Sequence, residues 1–390
     1  MRRFLKGSTA ILRIVDFGGL PVFANAKDTY VCIPLLAKHA PSEHIEVCRI
    51  GSLAISDLSS YVSANHYSIP QERLAPEAWA LQSNSTAAIF EKILKVGRPL
   101  GKHVDGRIFS GIKTGLNEAF EIDTATYKHM TTECPPCRAL IHPFLGGQDI
   151  RRYFVRLSER YLIAIPCGWT KQAIESERKT PTILPEREAW RWFTEHYGPL
   201  ASHLIGFADT ARRRQDQGEY WWELRPCDYY DVLVGAKIIY PDIAKQPRFH
   251  LDTEGTFIRN TAYCLGTDDH YLLGILNSRL FWFSIGNISI PFGVRAGQFR
   301  YRLIYQYMEK VPIRHIDFSD PSDRSKHEQM VHLVEQMLSL NQQLAAAKTP
   351  QDQTVLQRQI DATDRQIDHL VYQLYGLTED EIRVVEASGR

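Results

Sequence analysis

The residue types best suited to recognition chemistry fall in two phrases. The first is Gly111-Ile112-Lys113-Thr114-Gly115-Leu116-Asn117, inside an apolar frame that runs from Ile108 to Phe120. Its glycines bound a tight turn that sets Lys113, Thr114 and Asn117 on one side, where they can meet a phosphate or a base edge. A purely structural turn fits the same residues, with the glycines supplying geometry and Asn117 capping the backbone. The second phrase is Gly146-Gly147-Gln148-Asp149-Ile150-Arg151-Arg152-Tyr153. A guanidinium reads guanine and a carboxamide reads adenine through paired hydrogen bonds in the major groove. Arg151 and Arg152 point to opposite sides of a strand, so at most one faces a nucleic acid and the other can pair with Asp149.

Further cations follow. Arg212-Arg213-Arg214 closes a helical stretch over 199–214, where positive charge stabilises a helix end by roughly 0.3–1 kcal/mol whatever else it does. Trp221 and Trp222 offer rings for stacking, with one of the pair expected in the core. Residues 279–314 hold Arg279, Arg295, Arg300, Arg302, Lys310 and Arg314 against one acid, Glu309, with aromatic residues interleaved. That composition suits either phosphate contact or a β-rich segment with arginines at its solvent edge.

Other chemistries lack their residues. The 111–115 turn does not have the spacing of a phosphate loop that holds ATP. Cys134-Pro135-Pro136-Cys137 is one pair, with His129 and His142 nearby, whereas structural zinc usually takes two such pairs. A reduced thiol pair is the expected state. No nucleophile–base set or carboxylate cluster stands out as a hydrolase or nuclease site.

The elements that must position these residues are readable in outline. A chain of 390 residues has room for several domains. Net charge is +1, which leaves nucleic-acid binding to local clustering rather than to the total. Seven irregularly spaced cysteines fit reduced thiols in a cytoplasm, and no apolar run is long enough to span a membrane. Residues 11–38 read as two strands around the turn at Gly18-Gly19. Residues 41–105 read as a connector with one or two short helices, one of them over 87–96. Residues 106–320 mix short apolar runs, glycines and helical stretches, which argues an α+β domain. Residues 322–376 read as a helical hairpin with coiled-coil-like seams. One seam runs through Met330, Val334, Met337, Asn341 and Leu344, the other through Leu356, Ile360, Thr363, Ile367, Leu370 and Leu374. Lys348-Thr349-Pro350 divides them. Asn341 is the type of seam residue that fixes register, and the hairpin is expected to pack on its own domain.

In order and spacing, the two phrases together with Trp221-Trp222-Glu223-Leu224, Ala236-Lys237-Ile238-Ile239-Tyr240-Pro241 and Tyr271-Leu272-Leu273-Gly274-Ile275-Leu276-Asn277-Ser278 resemble the TaqI-like C-terminal specificity domain. That module finds the target for adenine-N6 DNA methyltransferases and type IIG restriction–modification enzymes. The resemblance implies a mixed-sheet α+β target recognition domain with a C-terminal antiparallel helical hairpin. It implies DNA contacts at Lys113, Thr114, Asn117, Gln148, Arg151, Arg152, Arg213, Arg214, Trp222, Arg225, Lys237, Arg295, Arg300 and Arg302. Residues 1–40 resemble the last part of a gamma-class methyltransferase sheet, through Ile14-Val15-Asp16-Phe17-Gly18, Val22-Phe23 and the strand that follows.

An adenine methyltransferase also needs an Asn/Asp/Ser-Pro-Pro-Tyr/Phe loop to hold a flipped base. The only Pro-Pro, Pro135-Pro136, lacks both the polar residue before it and the aromatic after it. The expectation is therefore a reading head without catalytic residues or a cofactor of its own, used in restriction–modification and phage defence. S-adenosylmethionine would sit on a methyltransferase subunit or domain that this chain lacks. The expected partners are double-stranded DNA and that methyltransferase part, and no membrane. The alternatives are a protein-interaction adaptor or inhibitor subunit of such a complex, and a truncated remnant of one.

Overall fold

The computed structural model describes residues 2–23, 25, 30–74, 79, 81–156, 159–179, 184–289, 291–295 and 298–388, with the side chains of 294 and 295 outside that description. The chain is α+β, as its patterning requires. At its centre lies a four-stranded antiparallel sheet in the order His250–Asp252, Lys237–Pro241, Ala262–Leu265, Ile108–Ser110. Side chains alternate across a strand, so this sheet separates two cores. Ile238, paired with Leu251 and Leu265, faces one core, and Ile239, paired with Cys264, faces the other. Burial on both faces explains why Lys237–Pro241 reads as a nearly continuous apolar run.

On one side lies a second sheet, in the order Phe257–Ile258, Ile141–Leu145, Arg160–Ile163, Glu121–Asp123, covered by helices. Among these helices are Trp169–Arg178 and Glu186–His196. On the other side the helices Pro321–Ala346 and Pro350–Leu374 form the hairpin. Its turn is built as the sequence indicates. Thr349 accepts the Asp352 N–H at 3.1 Å and Pro350 opens the second helix. The hairpin packs on the helix His270–Leu276. There a Cβ on Gly274 would lie 2.5 Å from Met330 Sδ, so only glycine permits that approach. Asn341 does not tie the two helices together, because its amide donates to Met337 O of its own helix at 2.8 Å.

The N-terminal sheet has the order Cys32–Ala37, Ala10–Asp16, His44–Arg49, Tyr67–Pro70. The strand Ala10–Asp16 runs antiparallel to Cys32–Ala37 and parallel to His44–Arg49. The sheet thus runs well past residue 40, and half of the expected connector belongs to it. The missed strands are short and set among serines and prolines, and their pairing is tertiary. The helix Asn84–Val96 then leads into the main body.

Candidate nucleic-acid interface

Three loops converge at the outer edge of the two large sheets. Ile112 N–H donates to Ile258 O at 2.7 Å, Arg259 N–H to Leu145 O at 2.8 Å, and Gly147 N–H to Thr261 Oγ1 at 3.1 Å. A Cβ on Gly111 would lie 2.0 Å from Arg259 O, and one on Gly147 would lie 2.3 Å from Thr261 O. Both glycines are therefore required for backbone contact. The loops enclose an open cleft of about 280 Å³ lined by Lys113, Asn117, Asp216, Arg259 and Asn260, among others. Lys113, Asn117, Gln148 and Asn260 are exposed. Thr114 is not: its hydroxyl donates to Asn117 Oδ1 at 2.7 Å and accepts the Leu116 N–H at 3.2 Å, so it shapes the turn from within.

The carboxylates here are already partnered. Glu121 pairs with Arg259 at 2.5 Å, and Asp149 takes both the Arg160 guanidinium and the Gly146 N–H. Beside them the segment 149–156 folds into a tight hairpin. Arg156 N–H donates to Asp149 O, and Arg151 N–H donates to Phe154 O, each at 2.9 Å, with Ile150 bridged to Val155. Cross-strand partners share a face, so Ile150 and Val155 turn inward while Arg151, Phe154 and Arg156 turn outward. Arg248 approaches this outer face from another loop. Burial, then Arg248 and Arg156, hold the Arg151 guanidinium below the usual arginine range. Burial, then Arg156, do the same for Arg248. Among the described residues none of the three makes an ion pair, and Arg248 Nε is buried without a hydrogen-bond partner. The Arg151 guanidinium donates to the carbonyls of Gln148 and Ile150, and Asp149, itself held by Arg160 and the Gly146 N–H, offsets part of its charge.

Several residues expected to contact DNA lie elsewhere. Arg152 points away from Arg151 and reaches Asp364 of the helical hairpin at 2.5 Å, as well as Asn277 O. Its partner is therefore Asp364 and not Asp149. Arg214 is buried over the Phe120 ring at 4.2 Å and donates to the carbonyls of Thr114, Trp221 and Glu223. Burial draws its guanidinium down to about 10.

Trp222 is fully buried, with Nε1 donating to Thr170 Oγ1 at 3.0 Å. Next to it Glu223 accepts the N–H groups of Gly168 and Thr170 at 3.0 Å, capping the helix Trp169–Arg178 from a distant loop. Lys237 is fully buried against Asp252 at 2.5 Å. Thr114, Arg152, Arg214, Trp222 and Lys237 are thus structural here, because each finds its partner inside the protein.

Arg213 is exposed, and Arg225 pairs with Asp216 at the rim of the cleft at 3.7 Å. Arg300 and Arg302 form their own group, stacked on the Phe292 ring at 5.3 and 4.5 Å. The Arg295 side chain lies outside the described residues. Sequence reasoning missed Phe154, Arg156, Arg248, Arg259 and Asn260. Phe154 and Arg156 could have been found by extending the alternation through the turn after Arg152. Arg248 joins only by tertiary folding and leaves no local signal.

Gly19 lies against the backbone of Gly293, where a Cβ would be 3.1 Å from its Cα, and a Cβ on Gly18 would be 3.4 Å from Phe299. The Asp16–Gly19 turn thus packs against residues 293 and 299. Cys137 is buried, and burial followed by Cys134 pushes its thiol up to about 12. No group of three or more metal-ligating side chains occurs among the described residues, and none of their helices is long and apolar enough to cross a membrane.

Residues 142–313 match the TaqI-like C-terminal specificity domain family. Among solved structures, the Type IIL restriction–modification enzyme MmeI in complex with DNA is similar at a TM-score of 0.48 and 13% identity, over 96% of this chain and 44% of that one. The type IIG restriction endonuclease BpuSI is similar at a TM-score of 0.39 and 11% identity, over 96% of this chain and 45% of that one. This chain therefore spans less than half the length of either. No curated protein sequence matches it. Over residues 142–313 this chain is similar to the TaqI-like C-terminal specificity domain.

Proposed function

We propose that this chain selects the duplex DNA target for a restriction–modification methyltransferase specific for adenine N6, and carries no catalysis of its own. The observation that carries the reading is the cluster of Arg151, Arg156 and Arg248, none of them in an ion pair among the described residues, beside the polar cleft of Lys113, Asn117 and Asn260. Guanidinium groups fix register on phosphates, while amides and Lys113 reach base edges. Gln148 is exposed on the turn that precedes the arginine hairpin.

The methyltransferase part would dock on the N-terminal sheet. There the edge strand Cys32–Ala37 leaves Ile33, Leu35 and Leu36 exposed, with Leu12 on the adjoining strand. An open apolar edge with unpaired backbone groups is a template for a further strand. S-adenosylmethionine would be held on that partner.

The test is binding of the purified chain to duplex DNA across a salt series. Affinity should fall steeply as salt rises, with a log–log slope of about −3 or steeper if three or more phosphates are neutralised. Absence of binding at low salt would sink the reading. A methyl-transfer assay with the chain alone should give no product, and sequence-specific adenine methylation would overturn its non-catalytic part.

A further inference from the structure

We infer that Phe154 is a wedge that enters a base step of the bound duplex, an inference that rests on the DNA-binding reading above. The ring is 38% exposed, although a phenylalanine gains by burial. It sits on the outer face of the 149–156 hairpin with Arg151 across from it and Arg156 two residues along, and Arg248 lies near those two arginines. An apolar ring on a face shared with cations is a poor seat for an apolar protein partner. It suits a ligand with anions outside and flat apolar faces inside, which describes a nucleic-acid duplex. Apolar side chains inserted between base steps unstack them and kink the helix.

The backbone beneath the ring is held rigidly. Tyr153, the residue before it, is buried and adopts φ 65°, a left-handed conformation that bulky side chains rarely take. Its N–H donates to Phe249 O at 2.9 Å, and Arg152 is tied to Asp364 of the helical hairpin. Two consecutive residues are thus locked into the body, so the ring that follows is presented and cannot fold back. A wedge needs this rigidity, because a mobile ring would lose ordering entropy on insertion.

The discriminating experiment measures duplex unwinding. Relaxed closed-circular plasmid is bound by the full chain at about 50 mM salt. It is then treated with a topoisomerase, freed of protein and resolved by linking number. The wild-type chain should lower the linking number in proportion to the amount bound. Phe154→Ala should bind about tenfold more weakly and, at equal bound fraction, leave the linking number almost unchanged. Phe154→Trp should keep the effect. Arg156→Ala should weaken binding while unwinding persists at equal occupancy. Plasmid bound by wild type without a change in linking number, or equal unwinding by Phe154→Ala, would overturn the wedge and leave DNA recognition standing. Failure of the wild type to bind plasmid at all would remove the DNA-binding reading and the wedge with it.

Discussion

Arg151 and Arg152 are neighbours in sequence and belong to opposite sides of the molecule. Behind the 149–156 hairpin, each cation has a partner: Arg152 with Asp364, Arg214 with three carbonyls, Lys237 with Asp252. In front of it, Arg151 donates to the carbonyls of Gln148 and Ile150, and among the described residues neither it, Arg156 nor Arg248 makes an ion pair. A cation removed from water must be answered within the fold, whereas cations gathered at the surface keep their field for something outside. The residue type is the same in both regions, and its role is decided by what lies within about 4 Å of it.

The largest effect that would sharpen this contrast lies behind the hairpin. Lys237→Ala leaves the Asp252 carboxylate buried and uncompensated, and Arg214→Ala strands the carbonyls of Thr114 and Trp221 and leaves Glu223 O with the Gly218 N–H alone. Each should lower the unfolding free energy by about 3–5 kcal/mol in urea titrations. A loss under about 1 kcal/mol would mean these cations do not hold the fold.

In front, the order of effects should invert. The triple variant Arg151→Ala, Arg156→Ala, Arg248→Ala should fold with little change in its urea midpoint. Its duplex affinity should drop about a hundredfold at moderate salt, with the salt slope reduced by about 2–3. An unchanged slope would break the contrast, since these arginines would then touch no phosphate.

The contrast also marks what was legible in the sequence. The helical hairpin was, because its signals are local: heptad-like spacing, and Thr349-Pro350 where the chain must turn. The α+β body was, because short apolar runs between glycines have few other solutions. The extent of the N-terminal sheet was not, since His44–Arg49 and Tyr67–Pro70 are defined by pairing with a strand tens of residues away. Within the candidate site, the sequence named the loops that carry Lys113, Asn117, Gln148 and Arg151. It could not tell these residues from Thr114, Arg152, Arg214, Trp222 and Lys237, because side-chain chemistry is written locally and burial is not. Arg152 needs Asp364, 212 positions away, before its role is visible.

A smaller effect concerns the joint that locks the reading hairpin to the helices. Asp368, on the helix Pro350–Leu374, accepts the Arg279 N–H at 2.9 Å and lies 3.2 Å from Arg279 Nε. Burial pushes its carboxyl up to about 6, and nearby Asp364 adds to this against the pull of Arg152 and Arg279. Its folded value lies above the unfolded one. The stabilising contribution is therefore full below about pH 4 and is lost as pH rises through about 6. Asp368→Asn should gain on the wild type by about 2 kcal/mol between about pH 4 and pH 7. A difference that stays constant across that range would show that burial does not control this carboxyl.

The smallest effect tests whether burial alone makes a polar group structural. Asn341 is 8% exposed and lies on the seam of the helical hairpin, yet its amide bonds only to Met337 O, one turn back in its own helix. Arg152, Arg214 and Lys237 each join separate segments, whereas Asn341 joins none. Removing it breaks no tie between elements, and a leucine would add apolar contact to the seam. Asn341→Leu should therefore be neutral or stabilising by up to about 1 kcal/mol, with the oligomeric state unchanged by light scattering. A loss of stability, or a new oligomer, would mean that this amide specifies the pairing of the helices after all. The line between structural and recognition groups would then follow burial itself, and not the joining of separate elements.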